Sequence, residues 1–595
     1  MKYFLISIFV LTVVQFSYSQ EEEKLFEALE GYSDLSENDF SSLLEEIQDS
    51  LFERDLRRDS SILHKGKKLP VRISMISTFW KNIEKAQGYQ AILEEGGFRG
   101  PAYGVKSRLQ VKGRDFNIKT IAESDPGEMN FGSPDYLSAG IAVTPRWENF
   151  SLYFGDYHIE AGMGLGMATK PRFNSWKSEP HMQMKQKTRF GVHGGSDENR
   201  FFRGGAAEYR FRKLKAMVFV SAKDLDVSIK ELETGKPYIS GIYSTGLHRT
   251  ILEKEKEGAV YEEVNGLVLK YSGGRFELGS LVAAFKFSDE FKILPPDTWP
   301  LSDPKFRNDA SRFSLWGRSL LGEGMILGEY AMSSTGGSAF NIAYSRFYGK
   351  GLTYMMFFER TGKYFFSHNT IVSSSIVTKK ASQQGRINLL YQPGRNWGIQ
   401  SDISIEGVED PALEDHGSSY KFRLRVFYDL SVGKGETSFH MEPGKTMASF
   451  KVKSKAVDKA FYWQGEIGFS ASELSSLIKC PGSYFSLRAR FRTVNKNLTI
   501  QSGLSFFTAQ EGSGIFYTYE PDVLYGMSLP ALSGSGSRTF VLLRYCPLKA
   551  LFIEAKVSRI AYVDRDEIGT GRDRIPFGHR TSFKLQVVYR GRLEL

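Results

Sequence analysis

The sequence predicts an all-β protein: a large transmembrane antiparallel β-barrel of about 22 to 26 strands behind a short helical periplasmic leader. Three observations predict it. From residue 70 onward apolar residues recur at every second position, in runs of about ten residues, the length a tilted strand needs to cross a bilayer. After residue 20 no apolar run reaches the ~18 residues of a spanning helix. The chain is also rich in aromatic residues (14%) and in glycine (58 of 595), which excludes a disordered, collagenous or coiled-coil chain because rings carry too much burial energy for any of these.

The N-terminus predicts export. Met1 and Lys2 form a basic start, Tyr3 to Val14 an apolar stretch, and Ser17-Tyr18-Ser19 a small-x-small cleavage site, so residues 1–19 read as a signal peptide cut before Gln20. Residues 20–69 form an acidic leader. Between 21 and 60 stand 14 Asp/Glu and 4 Lys/Arg, a net of −10, whereas 61–595 carries +19. The overall +10 therefore hides an acidic head on a basic body. In the leader Phe40, Leu43, Leu44, Ile47 and Leu51 recur at helical spacing behind Ser36 as N-cap, which predicts an amphipathic helix over about 37–55. Two readings stay open for it: a periplasmic leader that acts on nothing, or a plug or docking helix held against the basic body or a partner.

Residues 70–595 form the barrel. Tyr103, Val105, Leu109 and Val111 alternate with Lys106, Arg108, Gln110 and Lys112. Tyr420, Phe422, Leu424 and Val426 alternate with Lys421, Arg423 and Arg425. Phe485, Leu487, Ala489 and Phe491 alternate with Arg488, Arg490 and Arg492, and a turn at Asn495-Lys496-Asn497 leads into Leu498, Ile500, Leu504 and Phe506 as a hairpin. The last strand, Phe583 to Tyr589, is expected to end near Tyr589 and leave Gly591 to Leu595 as a tail. Tyr354, Phe357, Phe358, Tyr364, Phe365 and Phe366 gather around one turn and read as part of an interfacial girdle. Only a closed barrel satisfies every backbone group in lipid, which separates this pattern from a soluble sandwich.

Four segments carry a family resemblance: Phe154-Gly155-Asp156-Tyr157 with Gly162-x-Gly164, Phe201-Phe202-Arg203-Gly204-Gly205-Ala206-Ala207, Thr245-Gly246-Leu247-His248-Arg249-Thr250, and Asp564-Arg565-Asp566-Glu567-Ile568-Gly569-Thr570-Gly571. Through them the chain resembles large outer-membrane barrels of Bacteroidota-type Gram-negative bacteria described as helix-hairpin-helix domain-containing proteins. The resemblance implies an outer-membrane barrel and leaves its cargo unread. Relatives carry DNA-binding helix-hairpin-helix units ahead of the barrel; residues 21–70 contain no such motif, which argues against nucleic acid as a partner.

The sequence argues against enzymatic chemistry. Nine histidines show no ligand spacing, Cys480 and Cys546 form no Cys-x-x-Cys, and no cofactor or metal motif is present. Gly162-x-Gly164-x-Gly166 lacks the Lys-Ser/Thr of a nucleotide loop and reads as glycines at a barrel bend. His248 with Arg249, and the run Asp564, Arg565, Asp566 and Glu567, read as loop ion-pair clusters, His248 with Asp224 or Asp226 as its partner. Arg423, Arg425, Arg488, Arg490 and Arg492 project to one side and predict a cationic lumen wall. The expected function is transport or export across the outer membrane, with lipid around the barrel and periplasmic or envelope proteins as partners. The alternatives are a non-conducting barrel subunit of an envelope complex and a DNA-uptake barrel.

Overall fold

A computed structural model of the chain describes residues 70–594, apart from loop segments of which the longest are 129–133, 171–175, 232–236, 294–307, 373–379, 410–416, 455–459, 475–481 and 510–514. The expected signal peptide, the leader residues Phe40, Leu43, Leu44, Ile47 and Leu51, and Cys480 lie outside the described residues.

Twenty-four antiparallel strands, each paired to its chain neighbours, form one closed barrel. Closure comes from the first strand, Pro70–Asn82, which pairs along its whole length with the last, His579–Glu594, from Pro70 opposite Glu594 to Asn82 opposite Ser582. The last strand therefore does not stop near Tyr589: Gly591, Arg592, Leu593 and Glu594 each find a partner on the first strand. The expected hairpin is present, Gly482–Arg492 against Leu498–Ala509, as are strands Tyr103–Lys112 and Gly417–Asp429.

Burial alternates with the pleat, and its sense is inverted relative to a soluble sheet. In Leu214–Leu225, Met217, Phe219, Ser221 and Lys223 are buried while Val218 and Val220 are 49% and 58% exposed. Along Asp309–Leu321, Arg312, Ser314 and Trp316 face inward and Phe313 and Leu315 outward. Large apolar side chains cover the exterior strand after strand. Such a surface is stable against hydrocarbon, not water.

The two rims differ. At the rim that carries Pro70 and Glu594 no connection between barrel strands exceeds six residues, the longest being 144–149 and 455–460; the other rim carries 162–201, 226–259 and 510–533. Outer-membrane barrels place short turns in the periplasm and long loops outside. Aromatics mark the short-turn rim, with Tyr344, Tyr348 and Tyr354 packed around turn 349–351 and Tyr391 against Trp397 around turn 392–396.

Leu315 sits at the centre of its strand on the lipid face, so Leu315→Arg is expected to cost about 2–4 kcal/mol. A lowered midpoint for the heat-modifiable gel shift of the purified barrel checks it; an unchanged midpoint would mean this face does not meet lipid.

Candidate functional site

The long rim folds into the barrel. The fifth strand, Phe150–Ala161, alternates normally until Gly155, then loses the period of two: Asp156 to Ala161 are buried on both faces. Its pairing with the preceding strand ends at Gly140 opposite Gly155, and past Tyr157 it pairs instead with the inner strands Arg189–Val192 and Met167–Ala168. Gly155 makes this turn at φ 79°, and a Cβ there would lie 2.3 Å from the Ala139 carbonyl oxygen, so no other residue fits. Asp156 braces the bend through two hydrogen bonds from the Arg203 guanidinium, at 2.7 and 2.9 Å.

The described residues between 162 and 188 stand inside the lumen, where they form a strap anchored on two walls. Its root packs on an inward-facing core that includes Phe190, Phe202, Phe219, Phe285, Trp316 and Phe366. Beyond the core, the Glu329 carboxylate accepts hydrogen bonds from the backbone N–H groups of Met163 (2.5 Å), Gly166 (2.7 Å) and Leu165 (3.2 Å) and from the Ser314 hydroxyl (2.6 Å). The glycines 162, 164 and 166 therefore do not bend the barrel wall. They form an anion-cradling loop in the lumen, where a Cβ on Gly162 would meet the Glu329 carboxyl carbon at 2.9 Å.

The strap ends on the opposite wall. The Trp176 carbonyl accepts from Gln400 Nε2 (2.7 Å) and Asn388 Nδ2 (3.1 Å), and Lys177 Nζ pairs with Glu436 at 2.8 Å. Glu436 belongs to Gly433–Glu442, the seventeenth strand of twenty-four, twelve places round from the fifth. Lys177 thus reaches the wall diametrically across the barrel.

Two more loops insert from the same rim. In 364–372, Arg312 donates to the carbonyls of Phe366 (3.1 Å) and His368 (2.8 Å), and His368 Nε2 meets Glu262 at 2.5 Å. Phe365 and Phe366, expected in a lipid-interface girdle, are instead fully buried inside the barrel, because the chain turns inward after Thr361. In 516–532, Glu520 is held by Arg538 (2.6 Å) and Lys556 (2.7 Å), and Asp522 by Lys584 (2.7 Å) and Lys556 (3.6 Å). Burial alone would raise both carboxyls; Lys556 with Arg538, and Lys584 with Lys556, overcome it and hold both below their ordinary values.

All five arginines of the expected wall face the lumen side of their strands. Arg423 lies 3.5 Å from the buried Asp402, which also takes Arg386 at 2.6 Å, and Arg425 lies 3.9 Å from Glu436. Arg488 donates to the Tyr519 carbonyl of the inserted loop at 2.8 Å, and Arg490 stacks over Tyr462. Arg492 shares their face, opposite Thr499. Carboxylates from neighbouring strands stand among the guanidiniums, so this wall is mixed in sign.

Of the segments that carry the family resemblance, the first two pair with each other and the other two stand in loops of the long rim. Asp156 joins Arg203, and Arg249 joins Asp573 through paired contacts of 2.7 and 3.3 Å and Glu253 at 3.0 Å. Asp564 and Arg565 pair with each other at 3.3 Å and Glu567 pairs with Arg574 at 2.8 Å, with Asp566 exposed beside them, so this run does not join His248. A buried relay runs from Tyr136 Oη to His193 Nε2 (2.7 Å), and from His193 Nδ1 to His158 Nε2 (2.6 Å). His248 Nδ1 meets Asp135 Oδ2 at 2.6 Å, with Asp226 Oδ2 3.7 Å from its Nε2.

Glu128 and Glu198 complete an acidic cluster around that imidazole. Burial and then the Asp135 charge push Glu128 up to about 7; burial and the charges of Asp226, Asp135 and Glu128 push Glu198 up to about 10. Burial alone would lower His248, but the hydrogen bond to Asp135 and the surrounding carboxylates raise it. Of these partners only Asp226 was legible in the sequence. Glu128, Asp135, Glu198 and Glu329, with the strap contacts Trp176 and Lys177, had no local signal.

The fold and site define a membrane β-barrel whose lumen is occupied by loops from its long rim. No protein-family model matches the chain, and no curated protein does. Among solved structures it is similar to the translocation pore of the P pilus usher PapC, at 8% identity and TM-score 0.36 over 88% of this chain and 99% of that one. It is also similar to the ferric enterobactin receptor PfeA of Pseudomonas aeruginosa, at 10% identity and TM-score 0.41 over 88% and 81%. The siderophore receptor PirA from Acinetobacter baumannii matches at 7% identity and TM-score 0.38 over 89% and 81%. The register and the apolar exterior, rather than these distant likenesses, establish the barrel.

Two outcomes follow from this geometry. Glu329→Ala leaves three buried N–H groups without an acceptor, at about 1–3 kcal/mol each, and is expected to expose 162–188 to protease while the barrel persists; resistance equal to wild type would contradict it. Because Glu520 and Asp522 are held below their ordinary values, their docking is fully present above about pH 4 and weakens as pH falls below it. Pepsin cleavage within 516–532 should rise over that interval in the otherwise folded barrel, and a flat profile would count against the docking.

Proposed function

We propose that this chain is an outer-membrane transport or export barrel gated from its outer rim by the 162–188 strap. The observation that carries the reading is the asymmetry of the strap's two attachments. Its root packs on an aromatic core in which each buried large side chain contributes about 1.5–3 kcal/mol. Among the described contacts of its far end are two hydrogen bonds to the Trp176 carbonyl and an ion pair at Lys177, beside the single buried ring of Trp176. Such contacts contribute about 0.5–1.5 kcal/mol per hydrogen bond and about 0–1 kcal/mol for a partly exposed pair. The far end releases first, and the strap swings on its root, opening a path along the Arg423–Arg425 wall. In this reading the acidic leader, residues 20–69, acts at the periplasmic rim as a plug or as a docking element for a periplasmic or envelope-complex protein. No catalytic step is assigned to the chain.

A second reading, a non-conducting subunit of an envelope complex, draws on the number of inserted loops. Planar-bilayer recording separates the two. Release of the latch in Lys177→Ala/Gln400→Ala should raise open probability several-fold over the full wild-type chain, and deletion of 21–60 should add to it. Silence of all three proteins, each folded by gel mobility, would refute the channel and leave the filled barrel.

A further inference from the structure

We propose that His248, Asp226 and Glu198 form a binding site for a divalent transition-metal ion of the zinc class at the outer rim. Neither the barrel nor its gating requires such a site. The three residues come from distant parts of the chain: Glu198 from the return of the strap toward Phe202–Phe211, Asp226 from the turn after Leu214–Leu225, and His248 from the loop before helix Ile251–Lys254. One ligand atom from each lies within 4.8 Å of the other two. Sequence spacing hid the set, because its members stand 28 and 22 residues apart with no short motif between them.

Carboxylates crowd together on many surfaces, and crowding alone does not make a site. Here the imidazole adds an independent observation. His248 is 1% exposed; its Nδ1 is engaged by Asp135 at 2.6 Å, while its buried Nε2 has no hydrogen-bond partner. That arrangement, carboxylate on one ring nitrogen and an open second nitrogen, is how proteins orient a metal-binding histidine. Nε2 faces Asp226 Oδ2 at 3.7 Å, too long for a hydrogen bond. It is close to the edge of about 3.4 Å between two ligands that each sit about 2.0–2.1 Å from a tetrahedral zinc ion.

The remaining ligands are prepared in the same way. Asp226 is fixed by the Gly258 N–H to Oδ1 (2.8 Å) and by Asn199 Nδ2 to Oδ2 (3.4 Å), and Asn199 Oδ1 accepts the Asp226 N–H at 3.0 Å. Glu198 lies against Gly246, whose φ of 62° and missing side chain leave room for the carboxylate; a Cβ there would stand 2.9 Å from it. Glu198 accepts no hydrogen bond from any described residue, and its surroundings are Asp226, Asp135, Glu128 and Glu123. The cation nearest Asp135, Lys254, stands 3.7 Å away on the far side of the imidazole from Nε2 and shares its charge with Glu257. One nitrogen and two carboxylates match zinc and its neighbours better than calcium, which takes six to eight oxygens. A bound ion would tie the strap's return to the loop that carries His248 and Arg249.

The test is zinc binding by the purified full-length barrel in detergent, stripped with chelator and titrated calorimetrically, with calcium and magnesium as comparison ions. One zinc per chain is expected, with calcium and magnesium at least 100-fold weaker. Asp226→Asn and Glu198→Gln should each weaken zinc at least 100-fold while heat-modifiable mobility stays native, and His158→Ala should leave it unchanged. The cobalt-loaded protein should show the intense visible bands of four-coordinate cobalt, lost in Asp226→Asn. Absence of stoichiometric zinc, preference for calcium, or zinc binding that survives both carboxylate variants would each overturn the proposal. If a variant fails to fold, the wild-type stoichiometry and cobalt spectrum still decide.

Discussion

The pairing of Pro70–Asn82 with His579–Glu594 is the constraint on which everything else rests. Inside hydrocarbon an unpaired strand edge leaves a row of N–H and C=O groups with no partner, each costing several kcal/mol, so a sheet of this kind is stable in lipid only once its ends meet. Closure divides each strand into a lipid face and a lumen face, which is why Val218 and Phe219, adjacent in sequence, stand in opposite solvents. It also creates an interior too wide for side chains alone to fill. The long rim supplies the filling: the strap, the 364–372 turn and the 516–532 insert.

That interior is built in two chemistries. From the fifth strand to about the tenth it is an aromatic core, closer to a soluble domain than to a water-filled pore, and it roots the strap. Further round it is polar: Asn388, Gln400, Asp402 and Glu436 face the lumen; Asp402 pairs with Arg386 of the wall, and the strap meets Asn388, Gln400 and Glu436 through hydrogen bonds and an ion pair. The Lys177–Glu436 pair is partly exposed and contributes about 0–1 kcal/mol. The strap therefore has an apolar root on one side of the barrel and a polar latch on the other.

The wall was legible in the sequence and its contents were not. Alternation at Phe485, Leu487 and Phe491 against Arg488, Arg490 and Arg492 marks a strand and both of its faces, because the pleat is a local rule with a period of two. The same rule misleads where the chain leaves the wall. Phe365 and Phe366 look like girdle residues beside Tyr354, and the run Gly162 to Gly166 looks like a bend, yet both lie inside, for reasons held 54 to 166 residues away at Arg312, Phe285 and Glu329. Gly591 and Arg592 break the apolar rhythm, so the last strand looks shorter in sequence than it is, and its partner Pro70–Asn82 continues to pair. The sequence offers Asp224 or Asp226 as a partner for His248, but Asp135, Glu128 and Glu198 reach it only through barrel closure and loop insertion.

The account stands or falls on whether the strap spans the lumen to the opposite wall. The direct measurement is cross-linking of cysteines placed at Lys177 and Glu436, in a chain with Cys480 and Cys546 changed to serine, by a short bifunctional thiol reagent applied to barrels in native membranes. The account predicts rapid intramolecular cross-linking of this pair in the folded barrel, and none when the second cysteine replaces Arg72 on the first strand. Equal or absent cross-linking in both, with the barrel folded, would contradict it.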